Sequence, residues 1–482
     1  MPDATASRAP GTTRSPDAAD GSTIAVIGAG FSGTLLTLHL VRRCPANTRI
    51  ILLERGGAHG PGVAYGTPHA CHLLNVPAGR MSAFPDRPLD FLHWLQARPG
   101  TASSGPAAAS PDLFAPRAVY GAYLRDLLQQ AMRDPAVRGR LTLVHDGITR
   151  LEQTGKGLRL HGSHGASTEV DLAVLATGNL QPDPIPVGNG AFYATPLYRH
   201  DPLASGALDG LDPDAAVLLM GTGLTMIDTV LTLLNKGHRG PIQAVSRRGL
   251  VPHRHAPAGP LPQTAAALPT NLRQLTRFVR AQASAAAEAG SDWRAVIDSL
   301  RPFTADLWQA LSPADQKRFL RHVRPWWDIH RHRMAGPVAD RIDAARETGQ
   351  LHIFAGHLHD LAVQDETAVA TIRPRGGSDT IILRAARVLN CTGPGTECAR
   401  LRDPLLRALL RNGIVRPDPL GLALDVAATG AVRGRDGTLS RCVFAIGPLT
   451  RAAFWEMTAV PDIRRQCDMM ARHLSTLVKP AR

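Results

Sequence analysis

Two short glycine-rich phrases carry residue types suited to phosphate binding. GAGFSG at 28–33 and GTGLTM at 221–226 each follow an apolar run, IAVI or VLLM, and open an apolar helix pattern. In the first phrase Gly28 permits a tight turn, Gly30 lets a pyrophosphate approach the backbone, and Gly33 lets helix and strand pack closely. Phe31 and Ser32 complete a helix start whose free N–H groups face phosphate oxygens. The next strand pattern, RIILLE, ends at Glu54, 24 residues after Gly30. An acid there accepts hydrogen bonds from ribose hydroxyls and repels a 2′-phosphate.

The second phrase keeps Gly221, Thr222 and Gly223 but places Met226 where the third glycine stood. Met226 must either push helix from strand or fill a gap. Aligned with IILLERGG (50–57) is IQAVSRRG (242–249), so Ser246 replaces Glu54, and Arg247 and Arg248 follow. A hydroxyl with two guanidinium groups holds the 2′-phosphate that an acid would repel. The first site is therefore expected to take the ADP half of FAD, and the second NADPH over NADH. Two nucleotides brought together in one chain form an arrangement for hydride transfer.

Several further segments are candidates for enclosing the flavin. GPGVAYG (60–66) and LNVPAGRMS (74–82) lengthen the link after Glu54, and Arg55, Tyr65, Asn75, Val76, Met81 and Ser82 are the expected contacts there. Each unit closes on a matching phrase, VLATG (174–178) and LNCTG (389–393), which adds Ala176, Thr177 and Gly178. RCVFAIGPLT (441–450) reads as a last parallel strand delivering Gly447 and Pro448 to the cofactor, and FWEMTAVPDIRRQ (454–466) as the helix after it. The Trp-, His- and Arg-dense RPWWDIHRHRM (324–334) supplies candidate substrate contacts at Trp326, His330 and Arg333, with Trp455 added from the C-terminal segment. On a helix Trp326 and His330 share a face, as do His330 and Arg333. A salt-bridged interdomain face is the competing expectation for this helix, and core packing for Trp455.

The elements that must position these residues read as an α/β chain of two Rossmann-type dinucleotide-binding units, glutathione-reductase-like. Residues 1–22 read as a disordered tail, 23–205 as the N-terminal part of the FAD-binding domain and 206–390 as the NAD(P)-binding domain. Residues 391–482 complete the FAD-binding domain. Short alternating strands precede each closing phrase, and 271–348 turns helical, an insert in the second domain. Within it Ser312 precedes Pro313 and an acidic first turn, a helix start signal.

Composition narrows the function. At 482 residues the chain suits two or three domains. No apolar run reaches the ~18 residues a membrane span needs, and the polar N-terminal tail lacks the apolar stretch of a signal peptide. The formal charge is +14, yet only four of the 54 basic residues are Lys and they are scattered. With aromatics at 5%, that argues against nucleic acid and for a field favouring anionic cofactors and acidic substrates. The six cysteines, Cys44, Cys71, Cys391, Cys398, Cys442 and Cys467, form no C-x-x-C pair and no metal spacing with His. A redox dithiol and a metal are thus not expected, and free thiols suit a reducing cytoplasm.

The order GAGFSG, GPGVAYG, LNVPAGRMS, GTGLTMID, RPWWDIHRHRM and AVPDIR resembles bacterial FAD/NAD(P)-binding proteins related to flavin-dependent N-hydroxylating monooxygenases. The resemblance implies tightly bound FAD, reduction by NADPH, and reaction with O₂ to a C4a-(hydro)peroxyflavin that oxygenates a small-molecule nucleophile. It departs from Baeyer–Villiger enzymes, since FYATPLYRH (192–200) has the wrong spacing for their fingerprint. An NADPH-dependent monooxygenase N-hydroxylating a small polar or acidic substrate is the expectation. An FAD-dependent NAD(P)H oxidoreductase without oxygen insertion, and a catalytically silent flavin-binding partner protein, are the alternatives. The catalytic residues stay unknown because the chemistry is flavin-centred, and a homo-oligomer is left open.

Overall fold

The structure is a computed structural model that describes residues 21–480 except 57, 99–108, 189, 259–260, 262–267 and 396–401. The tail expected over 1–22 thus lies almost wholly outside the described residues, as does Cys398. The strands are β1 Thr23–Ile27, β2 Arg49–Glu54, β3 Leu141–His145, β4 Ile148–Thr154, β5 Gly157–Gly162, β6 Ser167–Val170, β7 Leu172–Leu175 and β8 Tyr198–Arg199. They continue as β9 Val217–Met220, β10 Ile242–Ser246, β11 Leu351–Gln364, β12 Thr367–Pro374, β13 Ile381–Ala385, β14 Arg387–Asn390, β15 Ala431–Arg433 and β16 Leu439–Ala445.

Two sheets carry the repeat. The first has the order β15-β16-β7-β1-β2-β3, with β16, β7, β1, β2 and β3 all parallel. The second has the order β13-β12-β11-β10-β9-β14-β8, parallel from β11 to β8 and antiparallel beyond β11. Both are doubly wound α/β sheets of Rossmann type, the fold class the sequence predicts. β1 and β7 are buried along their whole length, as sheets covered by helices on both faces require.

The strand run before each closing phrase is built differently in the two units. In the first, β4, β5 and β6 form a separate three-stranded antiparallel sheet. In the second, the 14-residue β11 begins parallel to β10 and ends antiparallel to β12, so one strand serves both functions. The second sheet also takes β8 as its edge, ahead of residue 206.

The stretch from 271 is helical, with Asn271 and Ser312 capping helices Leu272–Glu288 and Pro313–Arg318 through their side chains. Its final helix, Gly336–Glu347, belongs to the second unit's core, where Val338, Ala339 and Ile342 pack. The earlier insert helices lie against the C-terminal segment instead. There Trp308 stacks on Trp455 at 4.8 Å, and its Nε1 donates to the Ala452 carbonyl.

The C-terminal helix differs from expectation. It runs Val460–Leu477, and 454–459 is not part of it. Trp455 has φ +58°, a left-handed backbone that a helix cannot continue through. The two units meet through a partly buried bidentate pair, Arg117 donating to the buried Asp228 at 2.6 and 3.1 Å. His72 reinforces this contact, its Nε2 lying 2.9 Å from Thr232 Oγ1. Among the described residues no helix is long and apolar enough to cross a membrane.

Candidate functional site

Both glycine turns have the geometry of a phosphate cradle. Gly28 has φ +106° and Gly221 φ +111°, conformations that L side chains rarely adopt. A Cβ on Gly28 would stand 2.5 Å from the Ala176 carbonyl oxygen, and one on Gly221 2.4 Å from that of Cys391. The closing phrases therefore press on the turns from the neighbouring parallel strand. At Gly33 a Cβ would lie 1.8 Å from the Gly28 oxygen, so helix Phe31–Arg43 packs there only without a side chain. Met226, at the corresponding place, is fully buried in the second core and fills space.

The helix starts leave donors for an anion. Gly30 and Gly223 are the N-caps of helices Phe31–Arg43 and Leu224–Asn235, and neither helix has a side-chain cap bond or a first-turn acid. The first N–H groups are therefore free to face a phosphate, and the helix dipole favours it. These cradles fit the pyrophosphates of two dinucleotides. The two mouths differ in exposure: Phe31 and Ser32 are buried where Leu224 and Thr225 are half-buried, and Gly30 is half-buried beside Gly62 where Gly223 is exposed and a Cβ added there would meet open space.

The tips of β2 and β10 occupy equivalent places. Glu54 Oε2 accepts the Ala29 N–H at 2.9 Å, and its Oε1 accepts from Gly56 at 3.1 Å. Ser246 Oγ lies 2.8 Å from Thr222 Oγ1 and accepts the Gly249 N–H at 3.0 Å. In both units the last residue of the strand ties down the middle residue of the G-x-G turn. The Ser246 hydroxyl is thus engaged in its own turn, and Arg247 and Arg248 follow it without a hydrogen bond to that turn. Arg247 is exposed; Arg248 is half-buried, its guanidinium 6.0 Å from the centre of the Trp326 ring.

Other expected cofactor contacts distribute as follows. Tyr65 packs edge-on against Phe31 and Tyr120, and burial raises its phenol so that it stays protonated. Val76 is buried, and the Asn75 carbonyl accepts from His255 Nε2 across the unit boundary at 3.0 Å. Gly447, at φ +69°, lies so close to helix Phe31–Arg43 that a Cβ would be 2.5 Å from Ser32 Oγ. Its N–H donates to Gln466 Oε1, whose amide in turn donates to Thr450 Oγ1, and Pro448 begins the short turn between. Gln466 and Thr450 escaped the sequence reading because nothing local marks them. At the carboxyl ends of β2 and β7 lies a polar pocket of about 120 Å³ lined by Arg55, Thr177, Asn179, Gln181, Arg402 and Asp403. Ala176 and Gly178 flank Thr177, and Arg55 is paired with Asp403 at 2.8 Å.

Four expectations require correction. Met81 is 1% exposed within the first core, so its thioether packs against the protein. Ser82 is fully buried and its hydroxyl donates to the Phe84 and Arg87 carbonyls, holding its own loop. Arg333 lies beyond the end of helix Arg324–Arg331, so it shares no helical face with His330. It is 1% exposed and bonded to Asp298, out of reach of a substrate. Trp455 is a core residue between Trp308 and Phe319. Of the four substrate candidates, Trp326 is exposed, and His330 bonds the Trp326 carbonyl while packing on His253 and Trp293.

The rest of RPWWDIHRHRM forms a buried ionic seam with the C-terminal segment. Trp327 Nε1 donates to Glu456 Oε1 at 2.6 Å, and Arg331 lies 3.6 Å from Glu456 and 3.5 Å from Asp462. Burial alone would raise the Glu456 carboxyl, but Arg331, His332 and the Trp327 N–H outweigh it and hold it lowered. Burial wins at Asp462, which is raised. This part of the segment is thus tied to the C-terminal segment through buried charges.

Comparison with known proteins agrees with this geometry. Residues 25–180 match the FAD-NAD(P)-binding family model. The uncharacterized protein YdhS of Escherichia coli K12 is 25% identical over 217 residues, 44% of this chain. That match spans only 39% of the relative's length. Ornithine hydroxylase PvdA from Pseudomonas aeruginosa is similar in structure with a TM-score of 0.63 at 13% identity, covering 95% of this chain and 99% of that one. The ornithine N-hydroxylase KtzI of Kutzneria sp. 744, solved with FADred, NADP+ and L-orn, gives 0.62 at 13% identity with the same coverage. L-lysine 6-monooxygenase from Pseudomonas syringae gives 0.59 at 16%, again with that coverage. At such identities the likeness is one of fold. Residues 25–180 thus form an FAD-NAD(P)-binding domain, in a chain that has the two-unit fold of the N-hydroxylating flavin monooxygenases.

Proposed function

We propose that this protein is an FAD-dependent, NADPH-consuming monooxygenase that N-hydroxylates a small polar or acidic substrate. The observation that carries the reading is the contrast between the two mouths. One is enclosed and ends on the carboxylate of Glu54; the other is open and ends on Arg247 and Arg248. An enclosed mouth suits a nucleotide that stays, and an open one suits a nucleotide that exchanges. FAD held in the first would accept a hydride from NADPH and pass the electrons to O₂. Gly28, Gly30, Phe31, Ser32 and Gly33 would hold the pyrophosphate and Glu54 the ribose, while Tyr65 and Gly447 would close the site against water.

The test is direct. The protein is purified with its flavin, reduced anaerobically with NADPH, and then returned to air with L-ornithine, L-lysine or an acidic amine. Hydroxylamine formed in proportion to NADPH consumed supports the reading. Reduction followed only by hydrogen peroxide release, with every amine, makes it an oxidoreductase without oxygen insertion. Failure of NADPH to reduce the flavin would leave a silent flavin-binding protein and sink the proposal.

A further inference from the structure

The insert reaches the second mouth through the end of helix Arg324–Arg331. Past the tip of β10 the chain is stitched to it: the His253 N–H donates to the Ile329 carbonyl at 3.1 Å, and the Met334 N–H to the His253 carbonyl at 2.8 Å. His330 packs on His253 and Trp293, with ring centres 4.6 Å apart in each case, and Trp327 is tied to Glu456. The helix is therefore fixed on two sides, and it carries Trp326 to Arg248, whose guanidinium lies 6.0 Å from the centre of the indole ring. Of the chain's six tryptophans, Trp326 is the exposed one, at 46%. The other five are occupied. Trp94, Trp308 and Trp327 donate their N–H to Asp126, Ala452 and Glu456, Trp293 packs on the two histidines, and Trp455 is core. Among the described residues, neither the Trp326 indole N–H nor the Arg248 guanidinium has a hydrogen-bond partner.

An indole held rigidly in water forgoes the burial that makes tryptophan favourable, and a nucleotide base is a flat partner that restores it by stacking. The ligand's own covalent structure narrows the choice. In a dinucleotide with a 2′-phosphate, the phosphate and the adenine hang from adjacent carbons of one ribose. A phosphate gripped by Arg248 therefore brings its adenine to the indole beside that guanidinium. We propose that Trp326 is the platform on which the adenine of the nicotinamide nucleotide stacks, so that the insert supplies one wall of the second mouth. Arg248 reads the phosphate and Trp326 the base, which makes Trp326 a nucleotide contact in place of the substrate contact expected from the sequence. The inference rests on the second mouth taking a nicotinamide nucleotide, as proposed above, and is independent of oxygen insertion.

The experiment is calorimetry on the full-length, flavin-loaded protein with 2′,5′-ADP and 5′-ADP, which share the base and differ in the 2′-phosphate. Trp326→Ala should weaken both by a similar factor, about five- to a hundredfold, the range for removing an aromatic platform from a base. Trp326→Phe should recover most of that loss, because a smaller ring still stacks. Arg248→Ala should instead weaken 2′,5′-ADP far more than 5′-ADP. Saturating 2′,5′-ADP should also quench tryptophan fluorescence in the unaltered protein and in Trp94→Phe, but not in Trp326→Phe. Flavin absorbance reports that each variant folds. Equal affinity in the unaltered protein and in Trp326→Ala overturns the proposal. A Trp326→Ala loss confined to 2′,5′-ADP also overturns it, since the indole would then only brace Arg248. If neither nucleotide binds the unaltered protein saturably, the assignment of the second mouth fails and this inference with it. Binding that depends on Trp326, with no amine hydroxylated, defeats the monooxygenase reading alone.

Discussion

Replacing Arg248 should cost NADPH far more than NADH, and more than replacing Arg247. A guanidinium on a 2′-phosphate makes charge-assisted hydrogen bonds worth roughly 1.5–3 kcal/mol, or about ten- to a hundredfold in affinity. The two arginines differ in how much of this they deliver. Arg247 is exposed, so water screens it and roughly fivefold is expected. Arg248 is half-buried and lies over Trp326, so less side-chain freedom is lost when it binds. Arg248→Ala should therefore lower kcat/KM for NADPH about ten- to a hundredfold while leaving NADH within about twofold. The assay is the anaerobic rate of flavin reduction across a range of each nucleotide. Equal losses for both nucleotides, or a larger effect from Arg247→Ala, would refute the assignment. Ser246→Glu provides the converse, since it returns an acid to the strand tip and should shift preference towards NADH.

Other outcomes follow from the same geometry. Gly33→Ala puts a Cβ against the Gly28 backbone oxygen and should cost about 1–3 kcal/mol, with flavin lost on gel filtration. A variant that retains full flavin would contradict the close packing. Arg117→Ala leaves Asp228 buried and unpaired at the unit boundary and should lower stability by about 3 kcal/mol in urea unfolding, whereas replacing both residues together should cost less than the sum. Burial lowers His39 and His255 to about 4, so in that range the unfolded chain binds the proton and the folded one does not. Stability should thus fall as pH drops from about 6.5 towards 4, by about 1.4 kcal/mol per pH unit for each group. His39→Gln should flatten that slope, and an unchanged slope would show the ring is not held neutral.

The parts of the site that are local in sequence were legible in it. Gly28 and Gly221 announce themselves because only a turn of that kind needs glycine there, and Glu54 and Ser246 follow by alignment of the two strand tips. What depends on burial was not. Met81 and Ser82 carry chemistry that could serve a cofactor, and Trp455 chemistry that could serve a substrate, but the core and neighbouring carbonyls take them first. Arg333 was misplaced because the helical spacing was carried past Arg331, where the helix stops.

The stretch from Gly447 to Trp455 has a consequence for how the parts of the molecule communicate. One end is wedged against Ser32, at the mouth of the first cradle; the other is clamped between Trp308 and Phe319 of the insert. The Gly447 N–H donating to Gln466 Oε1, and the Gln466 amide donating to Thr450 Oγ1, keep the near end stiff. The insert and the first cradle therefore share a short strut of packed and hydrogen-bonded residues that does not run through the second unit.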